Sequence, residues 1–243
     1  MEQSFTTDTP IEEVVETASS CADTRKELAE ALGHKSRATR EYASQVKVEL
    51  ARSDAELLQD FAGDIVDALN RPEALTRYSM IEVIGELAQN NPKVISDAYE
   101  LLQECLYDED SGTVRLYAFR ILARHGATEP EKSLKVWPDL SMALRCFHGD
   151  PEFMAMMSEL ILMLGGKADQ QVKEAAVELF AFDAENARGE LRKKAETIAS
   201  FAPEILERIN KENEEKARAI SAAKEAQKAA AEEEDDDDEE EEE

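Results

Sequence analysis

The stretch DSGTVRLYAFRILARHG, from Asp110 to Gly126, decides the fold. Val114, Ala118 and Leu122 recur every four residues, the spacing that lines one face of an α-helix. Asp110-Ser111-Gly112 before it and Gly126 after it are breakers that bound such an element. Working outward, the same apolar positions return at an offset of 39 residues. Leu75, Val114 and Phe153 align, as do Tyr78, Tyr117 and Met156; Ser79, Ala118 and Met157; and Val83, Leu122 and Ile161. The intervening segments repeat too: Leu101, Leu140 and Leu179 are 39 apart, and so are Cys105 and Leu144. A two-helix unit cannot bury its apolar face alone, whereas stacked copies share one continuous core. The period therefore predicts an all-α fold, an α-solenoid (superhelix) of about five antiparallel helix pairs.

Helical spacing is expected near 37–51, 54–69, 72–89, 92–106, 111–125, 138–148, 151–164, 168–182, 188–201 and 204–230. The connections carry breakers, among them Asn70-Arg71-Pro72, Asn90-Asn91-Pro92, Gly149-Asp150-Pro151 and Ala202-Pro203, and these read as hairpin turns. Two capping helices are expected over 1–33. The first has Pro10 at its start; the second is capped by Asp23 and ended by Gly33 as a left-handed residue. Trp137-Pro138 interrupts the second helix of the 111–150 unit, so Leu134 to Trp137 reads as a turn with the helix starting at Pro138. After the array at 34–202 comes a charged, Ala-rich helix over 203–231, solvated beyond Asn210 and supported by i,i+4 pairs such as Glu207 with Lys211. Residues 232–243 are all acidic. Their mutual repulsion and the negative end of the helix dipole predict a disordered acidic tail.

The combination of Asp110, Val114-Arg115, Ala118, Leu122 and Gly126 resembles the first helix of a HEAT repeat, in particular the short HEAT-like units typified by the phycobiliprotein lyase subunits. The resemblance to this armadillo-type, HEAT-like family covers residues 34 to 202. It implies a helical-repeat fold used for scaffolds, adaptors and, in some members, enzymes. Two copies depart from the pattern under the 39-residue offset. Arg71 stands at the acidic position and Thr76 at the arginine position of one; Asp150 is displaced by one, with Met154 at the arginine position, in the other.

Charge narrows the function. The 243 residues hold 28 Lys and Arg against 55 Asp and Glu, a net charge of −27. The tail accounts for twelve of the acids, so about −15 remains on the rest, and direct nucleic-acid binding is disfavoured. No apolar run reaches the length of a bilayer span: Phe153 to Leu164 is broken by Ser158 and Glu159, so no membrane association is expected. Met1-Glu2-Gln3-Ser4 is not basic, and the expected compartment is cytoplasmic with reduced Cys21, Cys105 and Cys146.

No residue is assigned to catalysis, and no cofactor or metal is expected. Cys146-Phe147-His148 pairs a thiol and an imidazole but lacks further ligands at metal spacing. Gly165-Gly166-Lys167 lacks the strand, the glycine spacing and the hydroxyl residue of a phosphate loop and reads as a hairpin turn. Arg115, Arg120, Arg124 and Arg145, with Tyr107, Tyr117 and Trp137 nearby, either form a recognition patch or bridge neighbouring repeats through the abundant carboxylates. The helix at 151–164 is apolar on nearly every face. It is either the buried centre of the stack or, through Met154 and Met163, an adaptable partner groove. The expected function is a non-enzymatic interaction scaffold or adaptor, its surface lined mainly by second helices, for a protein partner that is basic. The alternative, supplied by the resemblance, is a HEAT-like enzyme or enzyme-assisting subunit of lyase or chaperone type.

Overall fold

The computed structural model describes residues 5–240, with side chains to residue 224; within these residues the chain is helical and contains no strand. It divides into two compact units, Met1–Val172 and Lys173–Glu243.

In the first unit, α1 (Ile11–Ser20) and α2 (Ala22–Ala31) precede a run of helix pairs. α3 (Arg37–Asp54) is followed by a segmented partner: a 3-10 stretch Ala55–Phe61, α4 (Ala62–Asp67) and a 3-10 turn Ala68–Asn70. α5 (Ala74–Leu87) is followed by α6 (Lys93–Asp97) and α7 (Tyr99–Leu106), and α8 (Gly112–Gly126) by α9 (Pro130–Cys146). α10 (Phe153–Gly165) comes next. The first helices pack in series, α3 on α5, α5 on α8 and α8 on α10. That arrangement explains why α5 and α10 are apolar nearly all round: Met80, Ile81, Val83, Ile84 and Leu87 are buried on one, and Phe153, Met156, Met157, Leu160, Met163 and Leu164 on the other. Each such side chain contributes about 1.5–3 kcal/mol by leaving water, which outweighs the weak helix propensity of the β-branched residues among them. Two glycines let helices approach closely. A Cβ at Gly85 would lie 2.5 Å from Ile121 Cδ1, and one at Gly126 would lie 2.8 Å from Val136 Cγ2 and 3.1 Å from Met163 Sδ.

The second unit takes most of α11 (Gln170–Asn186), then α12 (Gly189–Ala199) and α13 (Pro203–Glu240). Val177, Ala199, Ala202 and Ile205 form its core, with Leu206 and Ile209 packed against them, and Arg208 pairs with Glu178 at 2.8 Å. From residue 211 to 224 every side chain of α13 is exposed, as the loss of apolar spacing requires. The backbone stays helical to Glu240, beyond the expected 204–230. Of the tail expected to be disordered over 232–243, the described backbone is helical to Glu240, and residues 241–243 lie outside the described residues.

Several local expectations are corrected. Leu134 to Trp137 is helix, because Pro130 rather than Pro138 occupies the first turn of α9, and Pro138 lies inside it on an exposed face. Gly33 does not have positive φ; among the described residues that conformation belongs to Gly149 and Gly189. α2 ends instead through close-turn bonds from Leu32 and Gly33 to Ala29 and Glu30. Its N-cap is Cys21, not Asp23, which sits one residue inside. The second helices expected at 54–69 and 92–106 are broken. Asp54 restarts the chain by accepting from the Glu56 N–H at 3.1 Å, and Ala98 separates α6 from α7.

Candidate interaction surfaces

Arginines join the first helices in a ladder. Arg40, Arg77 and Arg115 each lie in the first turn or so of α3, α5 and α8, and each pairs with an acid just before or at the start of the next first helix. Arg40 pairs with Glu73, Arg77 with Asp108 at 2.6 Å, and Arg115 with Glu152. The Arg40 guanidinium holds the Glu73 carboxyl below its ordinary range by hydrogen bonding. Arg77, not Thr76, therefore fills the arginine position, Glu73 fills an acidic one in place of Arg71, and Glu152 joins Asp150, which also reaches Arg115 at 3.5 Å. The spacing along the ladder is 37 and then 38 residues, so a rigid 39-residue offset misplaces it.

The predicted recognition arginines separate on this basis. Arg115 is committed to packing: it is 11% exposed, donates to Glu152 and to the Asp108 carbonyl, and lies over the Phe147 ring at 4.4 Å. Arg120 bridges α8 to α10 through Glu159 at 2.6 Å and covers the Tyr117 ring at 5.0 Å. Only Arg124 of this helix is largely open, 60% exposed, with its Nε 3.6 Å from Glu159. Arg145 is exposed on α9, Trp137 is half-buried, and Met154 is half-buried on α10. Met163 is fully buried against Gly126, so it belongs to the core and not to an open groove. Tyr117 packs against Tyr78 across α5 and α8, with ring centroids 5.4 Å apart and planes tilted by 44°.

Between the C-terminal turns of α5 and α8 lies a groove of about 740 Å³. Glu82, Gly85 and Glu86 form one wall, Arg120, Ile121 and Arg124 the other, and Arg52, Ile95, His125, Glu129 and Lys132 complete it. Burial, together with Lys132 and Lys135, holds the His125 imidazole below its ordinary pKa. The groove is lined chiefly by first helices, unlike the second-helix surface expected from sequence.

The second helices carry a different chemistry. No lysine or arginine occurs from residue 53 to 70 or from 94 to 114. Asp60, Asp64 and Asp67 stand at i, i+4 and i+7 and are exposed; Asp97, Glu100 and Glu104, at i, i+3 and i+7 across α6 and α7, are exposed as well. α7 packs beside the 68–70 turn, so these acids occupy neighbouring repeats. At the next joint the acidity is consumed internally: Asp139 of α9 accepts from the Tyr99 hydroxyl at 2.8 Å and from Gln103 at 2.9 Å. Burial and that hydrogen bond push the Tyr99 phenol well above its ordinary pKa.

Other sequence candidates resolve locally. Cys146 is exposed, and no group of three His, Cys, Asp or Glu side chains among the described residues is placed to hold a metal ion. Gly165-Gly166-Lys167 is a turn tied back by the Lys167 N–H to the Ala127 carbonyl at 2.8 Å. No helix among the described residues is long and apolar enough to cross a membrane.

No protein-family model and no curated protein matches the chain. Among solved structures it is similar to a designed armadillo repeat protein, with 16% identity and a TM-score of 0.59 over 80% of this chain and 96% of that one. A second designed armadillo repeat protein, in complex with a (KR)4 peptide, matches with 16% identity and a TM-score of 0.59 over 79% and 90% of the two chains. The archaeal HEAT-like repeats protein from Thermococcus onnurineus NA1 matches with 16% identity and a TM-score of 0.54 over 81% and 77%. The fold is thus an all-α helical-repeat solenoid of HEAT/armadillo type.

Proposed function

We propose that this chain is a protein-interaction scaffold and that its partner is a basic protein, met by the acidic second helices of the first two repeats with the acidic tail as an auxiliary attractor. The observation that carries the reading is the pair of second-helix segments that lack any cation and expose Asp60, Asp64 and Asp67 beside Asp97, Glu100 and Glu104. Among the described residues only Asp97 of these has a lysine partner, Lys93 at 2.6 Å on the same helix. Unneutralised carboxylates on adjacent repeats repel one another, and a basic segment laid across them relieves that repulsion while gaining charge-assisted hydrogen bonds. A protein of the same fold in complex with a (KR)4 peptide supports the reading. The proposed role is binding without chemistry.

Affinity capture from native lysate, with the full chain and with the chain ending at Ala231, tests it at low and moderate salt. The expected result is one basic protein retained by both chains at low salt, more weakly without the tail, and released as salt screens the contact. Retention indifferent to salt would contradict the electrostatic basis. A partner lost completely with the tail would move the site off the repeats.

A further inference from the structure

The outward faces of the second helices change character along the first unit. Around α4, and on α6 and α7, the exposed positions carry the carboxylates described above. On α9 they are apolar. Val136, Leu140, Ala143 and Leu144 bury one face of this helix, and Leu134, Pro138 and Met142 line the opposite one at intervals of four residues. Leu134 is 41% and Met142 52% exposed, Pro138 is exposed between them, and the half-buried Trp137 adjoins the stripe. α9 is the next helix along the same surface. Its Asp139 accepts from the Tyr99 hydroxyl at 2.8 Å and from the Gln103 amide at 2.9 Å of α7, and Lys135 Nζ lies 4.3 Å from the centre of the Tyr99 ring. These contacts spend Asp139, so the exposed charges left beside the stripe are Lys135 and Arg145 against Glu131. A cation drawn to α4 and α7 is therefore opposed at α9, whereas an apolar side chain gains there by leaving water.

We propose that the basic segment received by the acidic helices is joined directly to one or two large apolar side chains, and that these lie on Leu134, Pro138 and Met142 of α9. This inference rests on the basic partner proposed above and adds the residue class that adjoins its cations. Packed helices stand about 8–10 Å apart and an extended chain advances about 3.3 Å per residue, so roughly three residues span one helix. A basic stretch of about six to eight residues crosses the two acidic helices, and the residues next to it reach α9. The two contributions differ in kind: salt screens the first and leaves the second.

The test uses four dye-labelled peptides: (Lys-Arg)4 followed by Gly-Leu-Ala-Leu, (Lys-Arg)4 preceded by Leu-Ala-Leu-Gly, and the same two with serine for both leucines. Their anisotropy is followed as the full chain is added at about 50 mM NaCl. In one of the two orders the leucine peptide is expected to bind at least about tenfold more tightly than its serine counterpart. The unlabelled leucine peptide should also shift the emission of Trp137, the single tryptophan. The double variant Leu134→Ser with Met142→Ser, both at exposed positions, should abolish the leucine advantage and leave the serine peptides bound within about twofold of the parent affinity. Equal binding of leucine and serine peptides in both orders overturns this inference and leaves the basic partner standing, whereas no binding by any of the four overturns both. A leucine advantage that survives the double variant, or that leaves Trp137 emission unchanged, places the apolar residues elsewhere and overturns it too. A shift of Trp137 emission on concentrating the protein alone would make a second copy the occupant of α9, with the same consequence.

Discussion

Lys47 lies in the middle of α3 with no solvent exposure, its Nζ without a hydrogen-bond partner and 5.2 Å from the centre of the Phe61 ring. Burial pushes its pKa down to about 8, opposed weakly by Asp64. Because the folded-state value lies below the ordinary 10.5, the unfolded chain binds the proton more readily, and the charged amine opposes folding at every pH below about 8. Stability should then rise as pH increases from about 8 to 10.5. Lys47→Met is expected to stabilise the protein at pH 7 by roughly 3 kcal/mol and to remove that rise. Urea unfolding of both chains across this range, followed by the fluorescence of the single tryptophan, Trp137, checks the difference. An equal slope in both chains would place the titration elsewhere. The position was legible in principle: Ala43, Lys47, Leu50 and Ala51 share a helical face, yet a lysine reads as a surface residue unless its neighbours are counted. The same limit applied to Met163. Methionine on a nearly all-apolar helix fits a core and a groove equally well, and only the close approach at Gly126 decides for the core.

At the scale of elements, helix existence was written in the apolar period and helix ends in local chemistry that a period does not contain. α9 shows the difference. Pro138 suits a first helical position, but Glu129-Pro130 eight residues earlier supplies one as well, and the burial of Ser133 and Val136 between them requires helix there. Pro138 consequently sits in the helix interior, where it cannot donate to the Leu134 carbonyl. Pro138→Ala adds that donor at an exposed site and is expected to stabilise the protein by about 1–3 kcal/mol. A lower urea midpoint would instead show that the ring packs against something essential. The arginine ladder was half legible. The sequence leaves Arg115 either a recognition group or a bridge between repeats, and its pair with Glu152 links α8 to the start of α10. The rungs at Arg40 and Arg77 were missed because insertions between repeats shift the acid from Glu73 to Asp108 to Glu152 by unequal steps. Such pairs are nearly buried, so their loss would strand a charge. That makes them register marks for the stack rather than free recognition groups.

For the whole molecule, a net charge of −27 suits the proposed basic partner without placing it on the surface. The cation-free runs at 53–70 and 94–114 do distinguish a place, and they were visible in the sequence once second helices are considered separately from first ones. What sequence could not yield is which charges are already spent. Asp139, Glu152 and Glu159 are as acidic on paper as Asp60 or Glu100, and only their partners in space remove them from the available set. The most direct measurement is the fluorescence anisotropy of a labelled (KR)4 peptide with the chain ending at Ala231, at about 50 and about 300 mM NaCl. Two triple variants are compared: Asp60→Asn, Asp67→Asn, Glu100→Gln on the second helices, and Glu12→Gln, Glu13→Gln, Glu16→Gln on α1. The expected result is binding at low salt that weakens at high salt and falls at least about tenfold in the second-helix variant while the α1 variant stays near the parent chain. Equal losses in the two variants, or no binding at low salt, would contradict a basic partner seated on the second helices.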